Sequence, residues 1–258
     1  MQPHPRPAPK ERVSELYHIG RILRCIFVKN FTVYKLIIAS FLFSFLSFNA
    51  FATKEVRKPG AFSQLKVYGR FDVVLVQGAE ESVSIESEET NIQNVLTEVE
   101  DGKLKVRMKT NYFKDTEVKV IITFKQLKEI EASAGAIIDA GTVDAKNFSF
   151  EVTSGAEVKA EVITDTLTTE VTQGSSLTLS GNAKYHNAQV STGGQLTAYM
   201  LNTTAAKVRV NMGGYAKIIV KEKLDAAVNM GGNISYKGAP KEVKQGTNMG
   251  GSITQIRE

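Results

Sequence analysis

Between Val210 and Gly251 the chain reads "VNMGGYAKIIVKEKLDAAVNMGGNISYKGAPKEVKQGTNMGG". The tetrapeptide Asn-Met-Gly-Gly stands there three times, at Asn211–Gly214, Asn229–Gly232 and Asn248–Gly251. Paired glycines after an apolar run have two readings. They can form a loop whose N–H groups cradle an anion, or a corner the chain must turn repeatedly. The spacing decides. In the same frame lie "EASAGA", "EVTSGA", "EVTQGS", "QVSTGG", "RVNMGG", "AVNMGG" and "GTNMGG". Their anchor glycines are Gly135, Gly155, Gly174, Gly193, Gly213, Gly231 and Gly250, at intervals of 20, 19, 19, 20, 18 and 19 residues.

The columns of this frame alternate. Three before each glycine stand Ala132, Val152, Val171, Val190, Val210, Val228 and Thr247; five before stand Ile130, Phe150, Thr169, Ala188, Val208, Ala226 and Gln245. Three after come Ile138, Val158, Leu177, Leu196, Ala216, Ile234 and Ile253. A period of two means strands, with these columns facing inward. No intervening segment has the length or periodicity of a crossover helix. The fold expected is therefore all-β: a parallel β-solenoid of about seven coils, its rungs ~4.8 Å apart. Gly135, Gly155, Gly174, Gly193, Gly213, Gly214, Gly231, Gly232, Gly250 and Gly251 are read as structural turns.

Residues 53–127 lack the repeat. "FDVVLVQG" and "SVSIES" alternate as strands, Asp101-Gly102 is a hairpin signal, and Glu89–Leu96 is expected as a short helix. This stretch is read as a β-rich section that caps or opens the solenoid, because a bare first rung would template aggregation. It is expected to be continuous with the repeats, residues 128–258, as one domain.

Residues 1–52 read as a leader. The run "LIIASFLFSFLSF" (36–48) is uncharged, Lys29 and Lys35 precede it, and "AFA" (Ala50, Phe51, Ala52) follows as a cleavage pattern. A secretory signal peptide cleaved near Ala52 is expected, with no stable membrane span afterwards and an extracytoplasmic location, periplasmic or at the cell surface. The 28 residues at the start exceed what a signal peptide needs.

The leader carries seven Lys/Arg and two Asp/Glu, a net of +5, and the whole chain carries +5. Residues 53–258 are therefore neutral, and nothing in them suggests nucleic acid. Cys25, the single cysteine, lies in the leader, so residues 53–258 have no disulfide or thiol chemistry. His186 is their only histidine, which excludes a His-rich metal site.

The signal peptide, "FSQLKVYGRFDVVLVQG", "LKEIEASAGAIIDAG" and the serial V-x-x-G-G turns resemble the auto-transporter adhesin head GIN domain family. The resemblance spans roughly residues 56–254. It implies an envelope-associated, right-handed parallel β-helix with an adhesive role, and it brings no catalytic residues.

The candidate sites are few. No helix pattern and no Lys-Ser or Lys-Thr follows the glycines, so a phosphate loop is disfavoured against a corner. Ser133, Thr153, Thr172, Ser191, Asn211, Asn229 and Asn248 form a polar column expected to hydrogen-bond between rungs. Met212, Met230 and Met249 continue the inward phase and are expected to fill the core. Four before the glycines stand Glu131, Glu151, Glu170, Gln189 and Arg209, an outward column. Its glutamates would lie about 5 Å apart, a spacing suited to glycan binding, a cation or glycoside hydrolysis. A solvated acidic face is the plainer reading. His186 is expected in the core, and Tyr199 and Tyr215 on the surface. The expected function is an exported, non-catalytic, adhesin-like binding solenoid whose partner is a glycan or an envelope protein. A polysaccharide-active enzyme and a self-associating structural module are the alternatives. No cofactor or metal is expected.

Overall fold

The computed structural model describes residues 53–87, 92–109 and 118–257. The leader signals, residues 36–48 and Ala50–Ala52, lie outside them. The non-repeating section gives β1 (Thr53–Arg57), β2 (Gln64–Tyr68), β3 (Phe71–Gln77), β4 (Ser82–Ser87), β5 (Val95–Glu100), β6 (Lys103–Met108) and β7 (Val118–Phe124). The repeats give β8 (Glu129–Ser133), β9 (Ile137–Asp144), β10 (Asn147–Val152), β11 (Glu157–Val171), β12 (Ser176–Val190), β13 (Gln195–Asn211), β14 (Tyr215–Asn229), β15 (Asn233–Lys237), β16 (Glu242–Asn248) and β17 (Ser252–Gln255). Each of β11 to β14 runs from one glycine corner to the next, so it ends one coil and begins another.

The repeats stack in parallel and in register. Val152, Val171, Val190, Val210 and Val228 pair in succession, and all five are buried. Ile138, Val158, Leu177, Leu196, Ala216 and Ile234 form the matching buried column beyond the corner. Burying one such valine or leucine is worth about 1.5–3 kcal/mol, so each rung adds a roughly constant increment to a continuous core. The solenoid expected from the spacing is the fold observed.

The corners show why glycine recurs. In each, two successive residues have positive φ: 58° and 79° at Ala134-Gly135, 55° and 72° at Ser154-Gly155, 44° and 73° at Met212-Gly213. The N–H of the residue after the glycine closes the turn, as in Gly194 to the Ser191 carbonyl at 2.9 Å. Positive φ at both central positions with this bond is the type I′ arrangement. Asp101-Gly102, with φ of 51° and 74°, makes the same turn between antiparallel β5 and β6.

In the first six corners the anchor-glycine N–H groups are not free. Gly135 donates to Ser154 O (3.1 Å), Gly155 to Gln173 O (3.1 Å), Gly174 to Thr192 O (3.0 Å) and Gly193 to Met212 O (3.2 Å). Each corner is thus bonded to the next, and the groups an anion would need are already used. The position after the anchor glycine is restricted for a different reason. Ala136, Ala156 and Ser175 are buried there, and in later rungs it is glycine because atoms of the preceding rung, backbone or valine side chain, intrude. A Cβ on Gly194 would lie 2.3 Å from the Val171 carbonyl oxygen.

Two expectations are corrected. Met212, Met230 and Met249 are not core residues; they are 53%, 49% and 71% exposed. They occupy the first left-handed position, and the reversal of φ there breaks the period-two alternation. The helix expected at Glu89–Leu96 is a single 3-10 turn, Ile92–Asn94, among the described residues.

The non-repeating section supplies two further parallel rungs. β2 lies between β6 and β8, and β3 between β7 and β9. The chain therefore begins one rung in, adds an outer rung, and then returns to the inner side to start the repeats. On the outside β4 pairs antiparallel with β7, β1 with β4, and β5 with β6. At the opposite end β16 and β17 pair only with β14 and β15 among the described residues.

Adjacent glycines of one corner should respond differently to the same change. Gly193→Ala meets open space but keeps a positive φ, and should cost about 1 kcal/mol. Gly194→Ala must displace the Val171 carbonyl and should cost at least twice that. Thr192, a β-branched residue at φ 50°, should tolerate Thr192→Gly with a gain of about 1 kcal/mol. Thermal melting of the three variants checks the order; a shift of roughly 2–4 °C per kcal/mol is expected at this size.

Candidate functional site

The outward column four before the glycines is brought into one line. Glu131 pairs with Glu151, Glu151 with Glu170, Glu170 with Gln189 and Gln189 with Arg209. On the N-terminal side the line continues through Lys66, which pairs with Glu131, and then Lys105, which pairs with Lys66. The members are not equivalent. Lys66 Nζ lies 2.6 Å from Glu131 Oε2, and Lys103 Nζ bonds its other oxygen. Burial alone would push the Glu131 carboxyl up, but the bonds from Lys103 and Lys66 outweigh it and hold the carboxyl below its ordinary range. Arg209 Nη2 lies 3.0 Å from Asp225 Oδ2, and its Nη1 donates to the Asp225 carbonyl at 2.9 Å. That guanidinium, through its hydrogen bond above all, lowers the Asp225 carboxyl.

The lysines thus compensate one end of the glutamate row and Asp225 engages the arginine. Glu151 and Glu170 remain exposed, and no ion pair to either is found among the described residues. No group of three or more His, Cys, Asp or Glu among the described residues could hold a metal ion.

A second feature was not foreseen. The bend that links the end of one coil to the start of the next carries a small residue in the middle: Ala145, Thr164 and Ala183 in successive rungs. Thr164 and Ala183 are buried. Projecting residues flank this floor. On one side Asp144, Ile163, Asn182 and Asn202 pair in line; on the other stand Lys146, Asp165, Lys184 and Thr204. Together they line a groove of about 420 Å³. Thr164 Oγ1 bonds the Lys146 and Thr166 carbonyls, each at 3.1 Å, and fixes the bend. Lys184 pairs with Asp165 at 2.6 Å. The signal for this groove was a small residue ten before the glycine, flanked by polar residues except at Ile163. Alignment on apolar columns alone passes over it.

The polar column at the glycine corners bonds between rungs in places: Thr172 Oγ1 to Thr153 Oγ1 at 3.1 Å, and Asn248 Nδ2 to Asn229 Oδ1 at 3.2 Å. Tyr215 is half exposed; Tyr199 is partly buried, with Lys237 Nζ 5.4 Å from its ring centre. His186 lies fully in the core, paired in register with Leu167 and Ala206. Its Nε2 is 2.9 Å from Thr169 Oγ1, and its Nδ1 has no partner among the described residues.

With no acceptor at Nδ1, a charged ring is disfavoured, and burial lowers the His186 pKa from 6.5 to about 4. The unfolded chain therefore binds a proton that the folded one refuses. The neutral ring's contribution is complete above pH 6.5 and is lost as pH falls toward 4, by on the order of 3 kcal/mol in total. The lowered carboxylates, Glu131 and Asp225 among them, begin to matter only below about 4.5. Urea denaturation between pH 7 and pH 4.5 should show falling stability, and His186→Leu with Thr169→Val should flatten that slope. An unchanged slope would contradict the assignment.

Comparison with known proteins places this geometry. Solved structures with the same fold include a "putative adhesin" from Bacteroides fragilis NCTC 9343, with TM-score 0.74 and 19% identity over 79% of this chain and 96% of that one. Two from Parabacteroides distasonis ATCC 8503 are also similar. One is called a "putative lipid binding protein" (TM-score 0.64, 18% identity, 81% and 98% covered) and the other a "putative adhesin" (TM-score 0.64, 21% identity, 79% and 96% covered). No curated protein gives a significant match. At these identities the likeness shows the fold. A family model described as "putative auto-transporter adhesin, head GIN domain" matches residues 61–240. The chain belongs to that family.

Proposed function

We propose that the chain is an exported, non-catalytic, adhesin-like module of the cell envelope. It contacts a polysaccharide or protein partner through the repeated outer face of the solenoid. One observation supports this above the others: outward side chains recur in register on a rigid stack, with Glu151 and Glu170 free on neighbouring rungs. A surface of that kind makes several weak contacts at fixed spacing, and their sum, rather than any single contact, holds the partner. The family membership and the leader-like sequence support location outside the cytoplasm.

The glutamate row gives little support to hydrolysis. It lies on an outward strand face, whereas the groove of about 420 Å³ is lined by other residues. Purified protein applied to immobilised envelope polysaccharide and envelope protein should be retained. Glu151→Lys with Glu170→Lys should weaken retention at least tenfold. No reducing sugar should be released. Release that Glu151→Gln with Glu170→Gln abolishes would replace adhesion with catalysis.

A second reading, self-association, has its own observation. Every residue of β16 is exposed, Val243 among them, Met249 just after it is exposed too, and the outer edges of β16 and β17 are unpaired among the described residues. Such edges invite pairing with another copy. Sedimentation at rising concentration should then show a dimer, and Thr247→Lys should remove it.

A further inference from the structure

We infer that the groove at the coil-to-coil bend is a binding site for an extended acidic polysaccharide. It lies apart from the glutamate face and has different chemistry. Asp144, Ile163, Asn182 and Asn202 stand in line on successive rungs, three spacings, or roughly 15 Å, from end to end. The volume of about 420 Å³ falls in the range of ligand sites, about 300–1,000 Å³. An extended 1,4-linked glycan, polygalacturonate included, advances by a distance close to one rung, ~4.8 Å, per sugar. Successive units therefore meet successive side chains without bending.

The lining fits hydroxyl and carboxylate groups. Asn182 and Asn202 are exposed neighbours on one edge, and no hydrogen bond occupies either amide among the described residues. Each amide offers both a donor and an acceptor, as a sugar hydroxyl does. The lining includes three lysines and two aspartates. The Lys184–Asp165 pair at 2.6 Å uses one of each, and Asp144 offsets one more positive charge in the formal count of the lining. One surplus cation remains, with Lys146 and Lys221 on different rungs. A chain carrying a carboxylate on some of its sugars meets that surplus; a neutral one does not. Ile163, 44% exposed, supplies an apolar wall for a sugar face.

An extended peptide fits less well. Peptides that lie along sheets gain main-chain bonds from a free edge. Here the rungs are interior: β11 pairs on both sides, with β9, β10 and β12, and β12 with β11 and β13. The floor of Ala145, Thr164 and Ala183 also offers no apolar pocket for a side chain.

The test is affinity electrophoresis of the full-length protein in gels containing polygalacturonate, dextran or no polymer. Retardation by polygalacturonate alone is expected. Asn182→Ala with Asn202→Ala should weaken it at least tenfold. Lys146→Ala with Lys221→Ala should bring it to the level of dextran. Melting temperatures equal to the parent's confirm that these exposed substitutions leave the fold intact. Glu151→Lys with Glu170→Lys should not reduce retardation, so the groove and the strand face fail or succeed separately. No retardation by polygalacturonate would overturn the proposal. So would equal retardation by dextran, retardation untouched by the asparagine pair, or displacement of polygalacturonate by an uncharged extended peptide.

Discussion

Two left-handed residues in succession, the second a glycine, set the conditions for the rest of this structure. They turn the chain within four residues and leave one N–H and one carbonyl aligned along the stack. Because Gly155 bonds Gln173 and Gly174 bonds Thr192, the ladder passes through the corner instead of stopping there. Register is thereby set at each corner as well as in the strands. A one-residue slip would carry a left-handed pair into a strand and turn buried valines outward. The outward columns, and any partner they meet, inherit their spacing from this geometry.

That constraint explains which parts of the fold were legible. The anchor glycines mark positions that L-residues adopt at a cost, so they recur visibly at 18 to 20 residues. The valine column three before them is legible for a related reason: stacked identical environments select similar side chains. The methionines were misread because alternation was carried through the corner. At the first left-handed position the side chain leaves the period-two pattern, and Met212 faces solvent although arithmetic puts it inside. The same position accepts Ala134, Ser154, Gln173 and Thr192, which shows how little the interior demands of it.

The N-terminal interleaving was hidden for a different reason. β2 and β3 form a rung between β6–β7 and β8–β9, an order that no local pattern encodes. Their corner at Gly69, with φ of 115°, differs from the type I′ corners, so a search framed on the repeat does not find it. The antiparallel strands outside the β6–β7 rung change the direction of pairing at that end of the stack, whereas among the described residues β16 and β17 leave the other end bare. The glutamate column was legible as a column, but not the unequal state of its members. Lys66 and Lys103 come from rungs outside the repeat, and they neutralise Glu131 while leaving Glu151 and Glu170 alone. The groove at the second bend was missed because its signal is a small residue whose neighbours, Ile163 apart, are polar, a pattern that carries no hydrophobic period.

The central claim is that one outward column runs in register through both sections, in the order Lys105, Lys66, Glu131, Glu151, Glu170, Gln189, Arg209, Ala227. Electron–electron double resonance between spin labels addresses it directly. With one label at Ala227, labels at Glu131, Lys66 and Lys105 should give distances that grow by about one rung, ~4.8 Å, at each step. Lys105 should be the farthest, although it is nearer to Ala227 in sequence than Lys66 is. A shorter distance from Lys105 than from Lys66, or steps that do not match the rung, would contradict the account.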